Sequence, residues 1–234
     1  VNVPEGTVTF VFTDIVGSTR LWERHPEQMR AAVQRHDELM RAAFLAGGGH
    51  VFKTVGDAFC VAFAEPSSAL TASAAVQRRL AAEPWGVVGA LEVRIGIHTG
   101  TAEMRDGDYF GGTLNRAARI EAAAHGGQVL VSGVTRSLVL DHPPEGLSFR
   151  DLGEHRLKSL ERAEQLFQLA GEGLVADFPP PRSMSVLPNN LPAQTTSFIG
   201  RAEEMAAITA RLTGPTKLLT LTGSGGTGKN TIGS

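Results

Sequence analysis

Two aspartates carry the first chemical signal in this chain. Asp14 follows a β-branched and aromatic run, Val8-Thr9-Phe10-Val11-Phe12, and precedes a helix that Ser18 or Thr19 can cap. A carboxylate at a strand tip beside free helical N–H groups can hold a metal while those N–H groups hold phosphate. It can equally be a helix cap or a turn aspartate. Asp57 sits in Lys53-Thr54-Val55-Gly56-Asp57, where Gly-Asp is also ordinary hairpin chemistry. Two carboxylates on the tips of adjacent strands can share two divalent cations, the arrangement that in-line phosphoryl chemistry uses. A second phosphate signal lies far downstream. The strand Leu218-Leu219-Thr220-Leu221-Thr222 runs into Gly223-Ser224-Gly225-Gly226-Thr227-Gly228-Lys229, which fits G-x-x-x-x-G-K. Asn230 stands where that loop needs a Ser or Thr hydroxyl for Mg²⁺, so the segment reads as a vestige or truncation rather than a working ATPase.

The elements that must position Asp14 and Asp57 are legible around them. Pro26 suits the first turn of a helix whose Met29, Val33, His36, Met40 and Phe44 recur every three or four residues, and Gly47-Gly48-Gly49 ends it. His50–Val55 and Ala58–Phe63 flank Gly56-Asp57 as a hairpin. An Ala-rich helix over Pro66–Ala82 leads to a strand over Leu91–Ile97. After a loop come a helix over Leu114–Ala124, a strand over Gln128–Ser132, and strands near Phe149–Leu157 and Gln165–Leu169. The order predicts an α+β fold, a ferredoxin-like βαββαβ sheet with additional helices and strands. Composition then divides the chain into a globular domain over 1–170, a Pro-rich linker over 171–194 and a further segment over 195–234, which its strand and glycine-rich loop make the truncated start of a P-loop NTPase domain.

Composition excludes several classes. In 234 residues, 42% are hydrophobic and 20% charged, an ordinary globular balance that argues against disorder. No run approaches the roughly 20 apolar residues of a membrane span, and no signal-peptide pattern opens the chain. A net charge of −2 argues against direct nucleic-acid binding. One cysteine, Cys60, reads as a buried small hydrophobe, and His36, His50 and His98 lack metal-ligand spacing. The expected compartment is the cytoplasm.

Four motifs in order give the chain a family resemblance. Phe12-Thr13-Asp14-Ile15-Val16-Gly17-Ser18-Thr19, Lys53-Thr54-Val55-Gly56-Asp57, Arg94-Ile95-Gly96-Ile97-His98-Thr99-Gly100 and Asp108-Tyr109-Phe110-Gly111-Gly112-Thr113-Leu114-Asn115-Arg116-Ala117-Ala118-Arg119 resemble the class III nucleotidyl cyclases over roughly residues 6–170. The tail, from Asn190 through Gly200-Arg201 to the Gly223–Lys229 loop, resembles the start of signal-transduction ATPases that follow cyclase domains in some bacterial regulators.

The cyclase resemblance implies that residues 1–170 are a cyclase catalytic domain with a complete active site. Asp14, Asp57 and the Ile15 carbonyl would hold two Mg²⁺ or Mn²⁺ ions. Gly17, Ser18 and Thr19 would offer N–H groups to a triphosphate, with Arg94 and Lys158 as further phosphate contacts. Asn115 would orient the ribose, and Arg119 would stabilise charge at the α-phosphate. Lys53 and Asp108 would read the base, and a donor beside an acceptor suits adenine, so ATP is the expected substrate. The resemblance also implies a head-to-tail homodimer. Asp14, Asp57 and Arg94 of one subunit would then meet Lys53, Asp108, Asn115, Arg119 and Lys158 of its partner. The rival readings are a catalytically silent cyclase-like nucleotide-binding module and a guanylate cyclase.

Overall fold

The computed structural model describes residues 3–105 and 107–183. The Gly223–Lys229 loop and the domain expected over 195–234 lie outside the described residues.

A βαββαβ unit forms the heart of the fold. β1 (Thr7–Ile15) pairs antiparallel with β3 (Ala58–Phe63) on one side and β4 (Val93–Thr101) on the other, and β3 pairs with β2 (His50–Val55). α1 (Ser18–Arg24) and α2 (Pro26–Ala46) connect β1 to β2, while α3 (Pro66–Ala82) connects β3 to β4. β4 then runs parallel to β7 (Val129–Ser132) through the crossover helix α4 (Gly112–Ala123). A short helix, α5 (Gly133–Leu138), follows, and β8 (Leu147–His155) and β9 (Glu164–Gly171) complete a sheet of order β2-β3-β1-β4-β7-β9-β8. The α+β class and the βαββαβ order expected from the sequence are present.

Alternation along the strands sorts the side chains into two layers. Val11, Ile95, Ile97 and Phe63 point toward α2 and α3 and bury against Met40, Phe44 and Leu70. Val8 and Phe10 point the other way and bury with Tyr109, just before α4, and with Ala117 of α4 itself. The apolar stripe predicted for α2 is the buried face of that helix, with Met29, His36, Met40 and Phe44 inaccessible. Pro26 occupies its first turn as expected.

Two glycines of β4 decide how closely α4 lies. A Cβ on Gly96 would meet the Glu121 backbone nitrogen at 2.2 Å, and one on Gly100 would meet Thr113 Oγ1 at 2.8 Å. The missing side chains let the helix rest directly on the strand, which fixes the height of every residue it carries.

Several local details differ from the sequence expectation. The helix after Asp14 is capped by Gly17 in the left-handed region at φ 74, and neither Ser18 nor Thr19 caps it with a side chain. A non-glycine residue would be strained there. The stretch between β4 and α4 contains a hairpin of β5 (Glu103–Arg105) and β6 (Asp108–Phe110), whose three-residue strands are too short to show periodicity. Beyond Gly171 the chain stays on the domain. Gln168 Nε2 donates to the Ala176 carbonyl at 2.7 Å, Phe178 stacks on His125, and the Arg182 N–H donates to the Ala123 carbonyl at 2.8 Å.

Candidate active site

The first cluster forms where β1 ends. Asp14 and Arg94 are direct cross-strand partners, on the sheet face that α4 covers. Arg94 donates from Nη2 and Nε to Asp14 Oδ2 at 2.6 and 3.1 Å. Arg94 Nε also lies 2.5 Å from Glu121 Oε1 on α4. Burial pushes the Glu121 carboxyl up to about 7, against the pull of Arg94. Ile15 closes β1 with its side chain buried. The Gly17 carbonyl accepts the first helical bonds from Arg20 and Leu21, so the N–H groups of Ser18 and Thr19 have no partner inside α1.

Asp57 lies in the turn between β2 and β3, where Gly56 takes φ 61. Its Oδ2 is buried without a hydrogen-bond partner. A buried carboxylate oxygen left unpaired is costly, and a cation is the partner that removes the cost. Among the described residues no three His, Cys, Asp or Glu side chains converge on one point. Two carboxylates therefore suit an ion such as Mg²⁺, which keeps water or phosphate in most of its coordination positions.

The second cluster lines a cleft of about 600 Å³ between β2, β6 and the start of α4, with Phe12, Phe52, Lys53, Asp108, Tyr109 and Asn115 on its walls. A β-bulge puts a second residue beside the lysine. Val51 pairs with Val61 and Lys53 with Cys60, so Phe52 is an extra residue in β2. Phe52 and Lys53 consequently both serve the α4 side of the sheet. Phe52 meets Phe10, Phe12 and Tyr109 edge-on or tilted, and Lys53 reaches Asp108, with Nζ 2.5 Å from Oδ2. The hydrogen bond to Lys53 holds the Asp108 carboxyl below the usual range, with help from the Tyr109 N–H, and raises the lysine. Tyr109 is anchored by its hydroxyl, which donates to the Pro4 carbonyl at 2.6 Å. Asn115 is exposed on the first turns of α4, and Arg119 is half-buried one turn further on.

The motifs that form these two clusters lie within a single family model. The model for the adenylate and guanylate cyclase catalytic domain matches residues 2–171. The chain belongs to that family. Its relatives include an uncharacterized protein of Mycobacterium tuberculosis, 38% identical over 206 residues that cover 87% of this chain and 70% of the relative. The adenylate cyclase of Schizosaccharomyces pombe is 34% identical over 211 residues, covering 71% of this chain and 12% of that protein. Among solved structures, an adenylate cyclase from Trypanosoma brucei superposes with a TM-score of 0.72 at 28% identity, covering 79% of this chain and 98% of the other. The adenylyl cyclase CyaB from P. aeruginosa gives 0.58 at 28% identity, covering 73% and 96%. The guanylate cyclase domain of RhGC from Catenaria anguillulae, at 19% identity, shares the fold with a TM-score of 0.63, covering 73% and 99%.

Within this cyclase domain the expected residues fall into two groups and one outlier. Asp14, Ile15, Arg94 and the Gly17–Thr19 turn assemble at the end of β1, with Asp57 in the turn of the β2–β3 hairpin. Lys53, Asp108 and Asn115 assemble in the cleft, and Arg119 lies one turn beyond Asn115 on α4. Lys158 joins neither group through an ion pair or hydrogen bond among the described residues. It is exposed beside Ser159, whose φ of 63 marks a tight turn between β8 and β9. Glu121 is the residue that motif reading passed over. A signal was present, because it lies four residues after the buried Ala117 and next to the buried Ile120, so it faces the sheet. No helix among the described residues is long and apolar enough to cross a membrane.

Proposed function

We propose that this cyclase domain converts ATP to 3′,5′-cyclic AMP and pyrophosphate, using two divalent cations at the interface of a head-to-tail homodimer. The observation that carries the substrate choice is the Lys53–Asp108 pair on the cleft wall. An ammonium only donates hydrogen bonds and an ionised carboxylate only accepts them. Adenine offers an N1 acceptor beside an N6 donor, which suits Lys53 on N1 and Asp108 on N6. Guanine offers an N1–H donor beside an O6 acceptor and would leave both side chains mismatched. Mismatched polar groups in a closed site discriminate by large factors.

In the reaction the ribose 3′-oxygen bonds to the α-phosphorus, the bond to the α–β bridging oxygen breaks, and pyrophosphate departs. Asn115 orients the ribose, and Arg119 stabilises charge as it builds at the α-phosphate. Arg94, the N–H groups of Gly17, Ser18 and Thr19, and Lys158 hold the β- and γ-phosphates. Asp14, Asp57 and the Ile15 carbonyl would hold Mg²⁺ or Mn²⁺, which supplies positive charge to the triphosphate and acidifies the 3′-hydroxyl.

Incubating the protein with Mn²⁺ and either ATP or GTP, then identifying the product by mass, tests this reading. Cyclic AMP from ATP is the expected result. Cyclic GMP as the main product would move the assignment to guanylate cyclase. Nucleotide binding without a cyclic product would make the domain a silent binding module.

A further inference from the structure

Arg94 is shared by two carboxylates, and only one of them has a role in the mechanism above. Asp14 accepts from Arg94 and is assigned to the cations. Glu121 has its side chain 13% exposed, with Oε1 2.5 Å from Arg94 Nε and no aligned hydrogen-bond donor. The Ala122 carbonyl accepts from Arg94 Nη1 at 3.4 Å. Glu121 is brought this close because Gly96 lacks a Cβ that would strike its backbone nitrogen. A charge buried this way and aimed at one guanidinium needs an account. When cations neutralise Asp14, Arg94 loses that partner and Glu121 is the carboxylate left to hold it.

We propose that Glu121 is the positioning residue for Arg94, holding the guanidinium at the phosphate end of the site when Asp14 turns to the cations. The proposal rests on the cyclase reading. Under the head-to-tail arrangement it has a further content. α4 gives Asn115 and Arg119 to one site of the dimer and, through Glu121 and Arg94, supports the other.

The test uses Glu121→Gln, which keeps the shape and removes the charge. Calorimetric titration of the domain with pyrophosphate at saturating Mn²⁺ should show binding weakened about tenfold, the scale of a lost hydrogen bond to a charged group. In an Arg94→Ala background the same substitution should change binding by less than about twofold, because an effect that passes through Arg94 vanishes with it. Equal effects in both backgrounds would overturn the proposal. Mn²⁺ titration separates a direct ligand role. With Arg94 present, Glu121→Gln leaves the arginine to Asp14 alone and raises the half-saturating Mn²⁺ concentration. With Arg94→Ala, no such rise is expected, and a persistent rise would make Glu121 a metal ligand instead. Glu121→Asp should bind pyrophosphate more tightly than Glu121→Gln. Equal weakness would show that charge is not what matters.

Mixed subunits test the division between sites. Asp14→Ala and Asn115→Ala chains, each inactive alone, should form a heterodimer with one intact site. Glu121→Gln placed on the Asn115→Ala chain, which supplies Arg94 to that site, should weaken ATP use about tenfold. Placed on the Asp14→Ala chain, it should leave the recovered rate within about twofold. The reverse pattern would show that Glu121 acts on Asn115 and Arg119 and would overturn the proposal. No recovery from the unmodified mixture, despite subunit exchange, would refute the head-to-tail reading alone, and the pyrophosphate titrations would still decide the role of Glu121.

Discussion

Adding one methyl group at Gly96 should separate α4 from the sheet. An alanine Cβ would lie 2.2 Å from the Glu121 nitrogen and 2.6 Å from its Cα, and both neighbours are backbone. Restoring ordinary contact requires α4 to lift or slide by roughly 1 Å, since no rotamer change can relieve the clash. Overpacking of this kind costs about 1–3 kcal/mol, which for a domain of this size lowers Tm by roughly 2–12 °C. The functional cost is larger than the structural one. A displacement of about 1 Å in catalytic groups can cost about a hundredfold in rate, and α4 carries both Asn115 and Arg119. Thermal unfolding by circular dichroism and initial rates of cyclic nucleotide formation measure the two effects separately. Gly100→Ala is the comparison, because its Cβ would meet only side-chain atoms of Thr113, none nearer than 2.8 Å. Its losses should be smaller in both assays. Gly96→Ala with Tm within about 1 °C of wild type and a rate within about twofold would refute the idea that close seating on β4 positions the helix.

Other outcomes follow from the same geometry. Asp57→Asn should abolish cyclase activity yet raise the Tm of the metal-free domain, because the buried atom without a hydrogen-bond partner then belongs to a neutral amide, which costs less to desolvate than a carboxylate. The Mn²⁺-induced rise in Tm should shrink in the same variant. Replacing Lys53 by Glu and Asp108 by Lys should reverse the donor and acceptor order and lower ATP use, read as the ratio of kcat/KM for ATP and GTP. An unchanged ratio would mean other contacts read the base. His98 is buried, hydrogen-bonded to Ser132, and pushed down to about 4, chiefly by burial. Its folded-state value lies below the ordinary 6.5, so the unfolded chain binds more protons between these values. The stability it contributes is complete above about 6.5 and is lost as pH falls toward 4, on the order of 3 kcal/mol. His98→Gln should flatten the acid side of the stability curve relative to wild type. The comparison is needed because Glu121, shifted upward, contributes with the opposite sign over part of this range.

Much of the fold could be read from periodicity because its long elements bury one face. The stripe from Met29 to Phe44 and the hairpin around Gly56 fall where their patterns place them. α5 and the β5–β6 hairpin were not legible, because elements of three to six residues carry no periodic signal and depend on tertiary contacts. α5 is held by a buried chain of hydroxyls in which Thr9, Thr99, Thr135 and Ser132 bond in succession, and scattered Ser and Thr residues give no sequence hint of it. The candidate site was legible where its residues belong to recognisable motifs, as at Asp14, Asp57, Asn115 and Arg119. Glu121 was hidden for a physical reason. Its importance comes from the closeness of α4 to β4, and that depends on a glycine 25 positions earlier in the chain.

The extra residue in β2 has a consequence for how base preference can change. Lys53 faces the cleft because regular pairing counted from the Gly56-Asp57 turn sets it opposite Cys60, with the surplus Phe52 beyond it, and so its direction depends on the number of residues between it and the turn as well as on their identity. Deleting Thr54 would close the bulge, bring Phe52 opposite Cys60 and Lys53 opposite Phe59, and turn the ammonium toward the apolar layer beneath α2 and α3. Under the proposed base reading, substitutions at Lys53 and Asp108 would by contrast tune which base is preferred. A change in length between Lys53 and the turn would carry the proposed base-reading ammonium away from the cleft, so insertions and deletions should be far rarer there than amino-acid replacements among functional descendants of this domain.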